Sequence, residues 1–435
     1  MFGSWIRRTG FWVLDALKGG TIRNHYNDIA DKMSGSSNDK RKQQLEALLE
    51  HAKNTTPFYR KLNSQKPLNS IEDFPIVTKM DYKEQFNAFQ SEAYSDKPKH
   101  QMSTSGSTGT PFTVNQDLNK RKRVLAELIY FNEICGQKLG DRYLYIKTWP
   151  MKKSKLESIM QNAIPVDILH LNEETLEKTR VILKKDKSVK SILAYASTYK
   201  VLADYLSDSI DTSEVYNIKA IFSSSALLDK ETKKKLNKIF DCPIIDKYSN
   251  QENGVLAQTK STFGDFHINR AGYHIELLKL DSDKPTKAGE LGRVVVTDLY
   301  NFAMPILRYD TGDLAISYGE NRDNLKTFHS IQGRRVDIIY DTKGNILTPH
   351  TWGVNMRKYS KLKQWQFIQQ DMKKYVLKIN GGEGIYSRED FDNTLRSILG
   401  SDAEIEILYV DEMPVLSSGK FKNTVCNYKP EKMEL

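Results

Sequence analysis

Ser191-Ile-Leu-Ala-Tyr195, Tyr199-Lys-Val-Leu-Ala-Asp-Tyr205, Ala220-Ile-Phe-Ser223, Asp229–Phe240 and Pro243-Ile-Ile-Asp246 follow one another with short polar breaks between them. The first, third and fifth are short apolar runs of strand type; the second and fourth have helical spacing. A strand–helix–strand–helix–strand alternation is the signature of an α/β sheet with crossover helices. Upstream, Tyr143–Lys147 adds a strand. Arg121–Cys135 reads as a helix with Leu125, Leu128, Ile129 and Ile134 turned to the core. The first hundred residues are polar and helical, with a break at Pro67–Pro75. Downstream of Phe266 the pattern changes to short alternating strands between Gly and Asp turns: His274–Leu280, Gly292–Thr297 and Leu314–Tyr318. They predict a small antiparallel β unit. From Gly333 a last segment holds strands Val336–Tyr340 and Tyr375–Ile379, a helix over Arg388–Leu399 and a strand over Ile405–Val410. The expected architecture is α/β: a large N-terminal domain of several subdomains over residues 1–332, and a small α+β C-terminal domain over 333–435. There is no internal repeat.

Bulk composition narrows the class. A chain of 435 residues with 39% hydrophobic and 28% charged residues can bury a large core in two or three domains. No apolar run approaches a bilayer span. Trp5–Leu17 combines Arg7 and Arg8 with Phe11-Trp12-Val13-Leu14, but Asp15 interrupts it and no cleavage site follows. It reads as an amphipathic helix that packs on the domain, with peripheral membrane contact as the alternative. Cys135, Cys242 and Cys426 are scattered and odd in number, which fits a reducing, cytoplasmic setting and no disulfide or metal framework. The net charge of +10 comes from runs such as Lys120–Arg123, Lys184–Lys190 and Lys233–Lys235. These lie on helical stretches without interleaved aromatics, so they read as solvated surface and not as a nucleic-acid interface.

Residues 103–111 read Ser-Thr-Ser-Gly-Ser-Thr-Gly-Thr-Pro. Such a run cannot build a core, but its hydroxyls and backbone N–H groups can surround phosphate oxygens, with Gly106 and Gly109 permitting close approach. A flexible linker would read the same way. No Gly-Lys-Ser/Thr follows at Walker spacing, which excludes a classical P-loop. Further along, Lys247-Tyr-Ser-Asn-Gln-Glu252-Asn-Gly254 follows a strand, at the sheet edge where ligands bind in open α/β folds. Pro305-Ile-Leu-Arg-Tyr-Asp310-Thr-Gly-Asp313 places two aspartates around a Thr-Gly turn, and a carboxylate such as Asp313 can accept both hydroxyls of a ribose. Gly333-Arg334-Arg335-Val336-Asp337 and Ser418-Gly419-Lys420 complete the series.

Taken in order, these segments resemble those of the adenylate-forming superfamily of acyl-CoA synthetases, luciferases and peptide-synthetase adenylation domains. The likeness is nearest to phenylacetate–CoA ligase and the CapK-type capsule-biosynthesis ligases, and covers roughly residues 45–425. Thr104–Pro111 resembles the phosphate loop, and Tyr248 and Glu252 match a Tyr-Gly-x-Thr-Glu element. Gly289–Thr297 with Met304–Asp313 resembles the ribose-binding stretch, Gly333-Arg334 the interdomain hinge, and Ser418-Gly419-Lys420 the catalytic-lysine motif. Three departures stand out. Thr110 replaces the phosphate-loop lysine of many relatives, Val336 replaces the first hinge aspartate so that only Asp337 is kept, and Ser223-Ser224-Ser225-Ala226 replaces a Gly/Glu-containing segment near the adenine.

The resemblance implies a two-step reaction: ATP-dependent conversion of a carboxylic acid to an acyl-adenylate with release of pyrophosphate, then acyl transfer to a thiol. That thiol would belong to CoA or a phosphopantetheinyl carrier protein, and the setting would be bacterial surface polysaccharide modification. In it, Thr104, Ser105, Gly106, Ser107, Thr108 and Gly109 would hold phosphates, Glu252 would bind Mg²⁺, and Tyr248 would lie against the adenine. Asp313 would clamp the ribose, Arg334 would approach the nucleotide, and Lys420 would bridge carboxylate and α-phosphate when a mobile lid domain closes. Tyr195, Ala196 and Ser197 would line the acyl pocket. Alternatives are transfer to an amine, or a nucleotide-binding scaffold that has lost catalysis.

Overall fold

The computed structural model describes residues 2–35, 38–103, 113–147, 161–167, 173–209, 215–224, 227–319, 325–334, 338–347, 352, 355–359, 361–381, 384–413 and 423–428. The chain begins with five helices: α1 (Phe2–Leu17), α2 (Thr21–Ser34), α3 (Asn38–Thr55), α4 (Pro57–Gln65) and α5 (Lys79–Glu84). Gly19 and Gly20, at φ +93° and +66°, turn the corner between α1 and α2. The buried Asp15 carboxylate fixes that corner by accepting the first backbone N–H groups of α2 from Ile22 (3.1 Å) and Arg23 (2.9 Å). The sequence places α1 on the domain, yet the packing is one-sided: Trp5 is 63% and Leu17 79% exposed, with Ile6, Val13 and Leu14 also outside.

β1 (Lys99–Ser103) and β2 (Thr113–Asp117) form an antiparallel hairpin that leads into α6 (Leu118–Glu133), whose first turn is capped by Asp117 accepting from Lys120 N (2.8 Å). Here the structure corrects the sequence reading. Ile129 is buried, but Leu125, Leu128 and Ile134 are 38–39% exposed. The face turned inward carries Lys120, Arg123, Ala126, Glu127 and Phe131. It is buried because each charge meets a partner from elsewhere in the chain. Lys120 Nζ lies 2.7 Å from Asp298, Arg123 pairs with Asp28 of α2 at 2.6 Å, and Tyr273 donates to Glu127 at 3.2 Å. A periodicity argument counts apolar residues and cannot see pairs assembled over long separations. The basic runs need the same correction. Lys184, Lys185 and Lys187 are exposed, but Lys120, Arg123 and Lys233 are buried, the last paired with Asp246.

The central sheet has eight strands: β3 (Arg142–Lys147), β4 (Ala163–Asp167), β5 (Val189–Tyr195), β6 (Ala220–Ser224), β7 (Ile244–Asn250), β8 (Gly254–Thr259), β9 (Phe266–Ile268) and β13 (Thr327–Phe328), in the order β13-β9-β8-β7-β6-β5-β3-β4. β4, β3, β5, β6 and β7 run parallel, as the alternation predicts, and β8, β9 and β13 extend the sheet antiparallel. Crossover helices α7 (Glu173–Lys185), α8 (Ala196–Ser209) and α9 (Lys230–Phe240) cover one face over a core that includes Ile146, Ile192, Ala194, Leu202, Leu236 and Ile244. On the other face Cys135, from the turn after α6, packs with Leu193, Phe222 and Ile245.

A four-stranded antiparallel sheet follows: β10 (Tyr273–Leu278), β11 (Leu291–Asp298), β12 (Tyr309–Ile316) and β14 (Ser330–Arg334), ordered β10-β11-β12-β14. Gly333 and Arg334 still pair with β12, so the expected boundary at 333 falls inside this sheet. Beyond it come a hairpin of β15 (Ile339–Tyr340) and β16 (Ile346–Leu347), and a sheet of β17 (Gln364–Gln369), β18 (Lys374–Asn380), β19 (Glu404–Tyr409) and β20 (Thr424–Cys426), ordered β19-β18-β17-β20. Helix α10 (Arg388–Leu399) packs on that sheet through Phe391, Leu395 and Leu399. Ile338 and Tyr340 meet Leu314 of β12, which joins the two parts.

Candidate active site

Strand β7 leaves the sheet at its carboxyl edge through a turn over residues 251–253, closed by Asn253 N donating to Asn250 Oδ1 (2.9 Å). Glu252 sits in this turn and is buried. Tyr309 Oη donates to Glu252 Oε1 at 3.0 Å, and Gln116 Nε2 donates to the Glu252 carbonyl at 2.8 Å. The second bond carries a topological consequence. Gln116 belongs to β2, the strand entered directly from residues 104–112, so the stem of the hydroxyl-rich segment is tied to the Glu252 turn. Ser103 and Thr113 close that stem with a hydroxyl contact of 3.1 Å. Thr104, Ser105, Gly106, Ser107, Thr108 and Gly109 themselves lie outside the described residues, as do Lys420 and the hinge residues Val336 and Asp337.

The Thr-Gly turn expected around Asp310–Asp313 is a bulge inside a strand. β11 pairs Val295 with Asp310 and Arg293 with Leu314, so β12 has two more residues than its partner across this interval. Gly312 takes φ +75°, which only glycine adopts freely. Gly312 N donates to Asp310 Oδ1 (2.9 Å), and Asp313 N donates to Thr311 Oγ1 (3.1 Å). The bulge directs Asp313 toward Tyr248, whose hydroxyl donates to Asp313 Oδ2 at 2.8 Å. Asp310 is instead held by Arg293 (2.9 Å). Arg334 stands opposite Asp313 in the β12–β14 register.

Each candidate carboxylate thus has a tyrosine hydroxyl on it: Tyr309 on Glu252 and Tyr248 on Asp313. Burial, followed by the neighbouring carboxylate, raises both phenols well above their ordinary range, so both stay protonated donors. Arg308, next to Tyr309, is buried with φ +43°, a strained conformation for a non-glycine residue. Its guanidinium holds it there through two bonds to Glu276 (2.8 and 3.0 Å) and one to the Phe74 carbonyl (3.0 Å). Tyr309, Gln116 and Arg308 were not candidates from the sequence. Tyr309 and Arg308 lie inside the quoted stretch 305–313, so the signal for them was proximity to Asp313 alone.

The acyl-pocket candidates separate. Tyr195 ends β5 half-buried on the sheet face away from the crossover helices, whereas Ala196 opens α8 and is buried in the core under those helices. The backbone of Ser197 is in α8 and its side chain lies outside the described residues. Lys247, beside Tyr248 and on the opposite face, has its ammonium 4.5 Å over the Phe222 ring and donates to Asn132 Oδ1 of α6. Burial lowers its pKa to about 8. Among the described residues no group of three or more His, Cys, Asp or Glu could hold a metal, and no helix is long and apolar enough to cross a membrane.

Comparison with known proteins bears on the fold. Residues 339–427 match the CapK C-terminal domain family. The Protein CapK of Staphylococcus aureus is 22% identical over 417 residues, covering 89% of this chain and 88% of that protein. A 2-hydroxyisobutyryl-CoA ligase in the postadenylation state with R3-HIB-AMP superposes with a TM-score of 0.68 at 15% identity, over 90% of each chain. The O-succinylbenzoate coenzyme A synthetase of Bacillus subtilis, in complex with ATP and magnesium ion, gives 0.54 at 14% identity over 74% of this chain and 68% of that one. The chain therefore has the fold of the adenylate-forming acyl-CoA ligases, and its residues 339–427 are similar to the CapK C-terminal domain.

Proposed function

We propose that this chain activates a small carboxylic acid with ATP, releasing pyrophosphate, and passes the acyl group to a thiol in the modification of a bacterial surface polysaccharide. The observation that carries this reading is the pair of tyrosine-held carboxylates, Glu252 and Asp313, beside the stem of the hydroxyl-rich loop. In the first half-reaction an oxygen of the substrate carboxylate bonds to the α-phosphorus of ATP and the bond to the β-phosphate oxygen breaks. In the second, the thiol sulfur bonds to the acyl carbon, AMP leaves with the former carboxylate oxygen, and the thiol proton passes to solvent. The acceptor thiol would be that of CoA or of a carrier protein.

The chemistry is dominated by bringing anions together, so positioning and charge compensation carry most of the catalysis. Residues 104–109 would donate hydroxyl and N–H bonds to the phosphates. Asp313 would accept the ribose hydroxyls, and Tyr248 would border the adenine while fixing the Asp313 rotamer. A single buried carboxylate suits Mg²⁺, which takes few protein ligands and completes its shell with water and phosphate oxygens. Glu252 would hold that ion, which neutralises phosphate charge when bound. Tyr309, donating to Glu252, would hold that carboxylate in place for it.

Lys420 would supply the positive charge between carboxylate and α-phosphate, and would act only when the C-terminal domain, proposed here as a mobile lid, closes. Lys420→Ala should slow acyl-adenylate formation by about 10²–10³, the usual effect of removing one preorganised charge-stabilising donor. ATP binding, and thioester formation from supplied acyl-adenylate, should remain. Equal loss in both half-reactions would remove Lys420 from the active site.

The outward face of α1 supports peripheral contact with an anionic membrane surface. Trp5, Ile6, Thr9, Val13, Ala16 and Leu17 share it without a charged residue, and exposed Arg7 and Lys18 flank it. The chain should co-float with phosphatidylglycerol-containing vesicles and not with pure phosphatidylcholine. The exposed-site variant Trp5→Glu/Leu17→Glu should abolish co-flotation without altering folding; flotation that survives it would assign the contact elsewhere.

A further inference from the structure

Every fully buried lysine or arginine among the described residues is matched by a carboxylate, whereas the part-buried Lys247, like the part-buried Arg121 and Arg270, is not. Lys32 and Arg123 meet Asp28, Lys120 meets Asp298, Lys233 meets Asp246, Arg293 meets Asp310, and Arg308 meets Glu276. Lys247 has the neutral Asn132 side-chain oxygen and the face of Phe222 instead. An ammonium drawn out of water without an anion is unfavourable. A part-buried ammonium held only by a neutral amide oxygen and a ring face can take an anion from outside.

The sheet register shows what surrounds it. Tyr145, Leu193, Phe222 and Ile245 sit side by side on β3, β5, β6 and β7. Two residues further toward the carboxyl edge, on the same face, come Lys147, Tyr195, Ser224 and Lys247, with Tyr195 directly opposite Ser224. In the lower row Phe222 and Ile245 are core, packed with Cys135, while the upper row is part-exposed and has an ammonium at each end. Lys147 lies 4.9 Å over the Tyr145 ring, as Lys247 lies over Phe222. Tyr248 points to the opposite face and meets Asp313, so Lys247 faces away from the candidate nucleotide side. The cation is therefore poorly placed for ATP phosphates or for the carboxylate being activated next to them. It is well placed for a group at the far end of the acid.

We propose that the acid taken by this chain is dianionic, and that its second carboxylate docks on Lys247 at the part-exposed row it shares with Lys147, Tyr195 and Ser224. The proposal rests on the adenylation reading and adds the substrate class. Lys247 is then a specificity-determining residue: it holds the acid and takes no part in bond making.

The test compares Mg-ATP–pyrophosphate exchange for chain-matched acids: succinate with butyrate, glutarate with valerate, and adipate with hexanoate. It uses the full chain and its Lys247→Met and Lys247→Gln variants, both checked for an unchanged melting curve and ATP affinity. The wild type should favour at least one dicarboxylate over its partner by tenfold or more in kcat/KM. Both variants should lose tenfold or more on that dicarboxylate, mainly through KM, and leave the monocarboxylate unchanged; Lys247→Arg should restore part of the preference. A wild type that favours every monocarboxylate, or variants that lose both members of a pair alike, would overturn the proposal. Calorimetry with the dicarboxylates and a non-hydrolysable ATP analogue separates the two readings. Lys247-dependent dicarboxylate binding without exchange would keep the site and remove adenylation. Exchange confined to monocarboxylates would keep adenylation and remove the site.

Discussion

Asp313 is positioned by three local devices: the Gly312 left-handed conformation, the Thr311 hydroxyl on its backbone N–H, and the Tyr248 hydroxyl on its carboxylate. A side chain held this way has little rotamer freedom to lose on binding, so its hydrogen bonds to a ribose would appear almost fully in the affinity. Asp313→Ala should weaken ATP binding by about 1.5–3 kcal/mol, the range for bonds to a charged group. An unchanged affinity in a folded variant would leave Asp313 a bulge residue only. At this scale the sequence was legible where chemistry is local. Tyr248, Glu252 and Asp313 each stand in a short stretch whose turn residues are visible. The bond from Tyr309 to Glu252 joins residues 57 apart in the chain, and nothing in either stretch announces it.

At the scale of the element, α6 is the instructive case. Its charged face is the buried one because α2 and β11 bring Asp28 and Asp298 to it. Lys120 and Asp298 are both 0% exposed. Removing the lysine leaves a carboxyl whose charged form burial already disfavours. Lys120→Met should destabilise the chain by about 3–5 kcal/mol in urea unfolding. A loss below about 1 kcal/mol would mean that water reaches Asp298, and the buried-network account of α6 would not stand. Contrast α10, predicted and found over Arg388–Leu399. Its Ser387/Asp390 capping box and the stripe Phe391, Leu395 and Leu399 are local signals that agree with the packing.

Across the whole molecule, the strand–helix alternation from 191 to 246 was enough to set the parallel core. A strand buried on both faces must be continuously apolar, and parallel neighbours require crossover helices between them. The sequence could not reveal that β9 and β13 extend that sheet antiparallel, because Phe266–Ile268 and Thr327–Phe328 are too short to carry a period. Nor could it foresee the half-open face of α1, since burial of an amphipathic helix depends on what it meets. What unites the large parts is the junction of β7, β12 and the β1–β2 stem around Glu252 and Asp313. The most direct measurement of that junction's role is ATP–pyrophosphate exchange with Mg²⁺ across aryl, hydroxy, short-chain, dicarboxylic and amino acids. The account predicts Mg²⁺-dependent label exchange with at least one acid, abolished by Lys420→Ala; a correctly folded chain that exchanges label with none of them would contradict it.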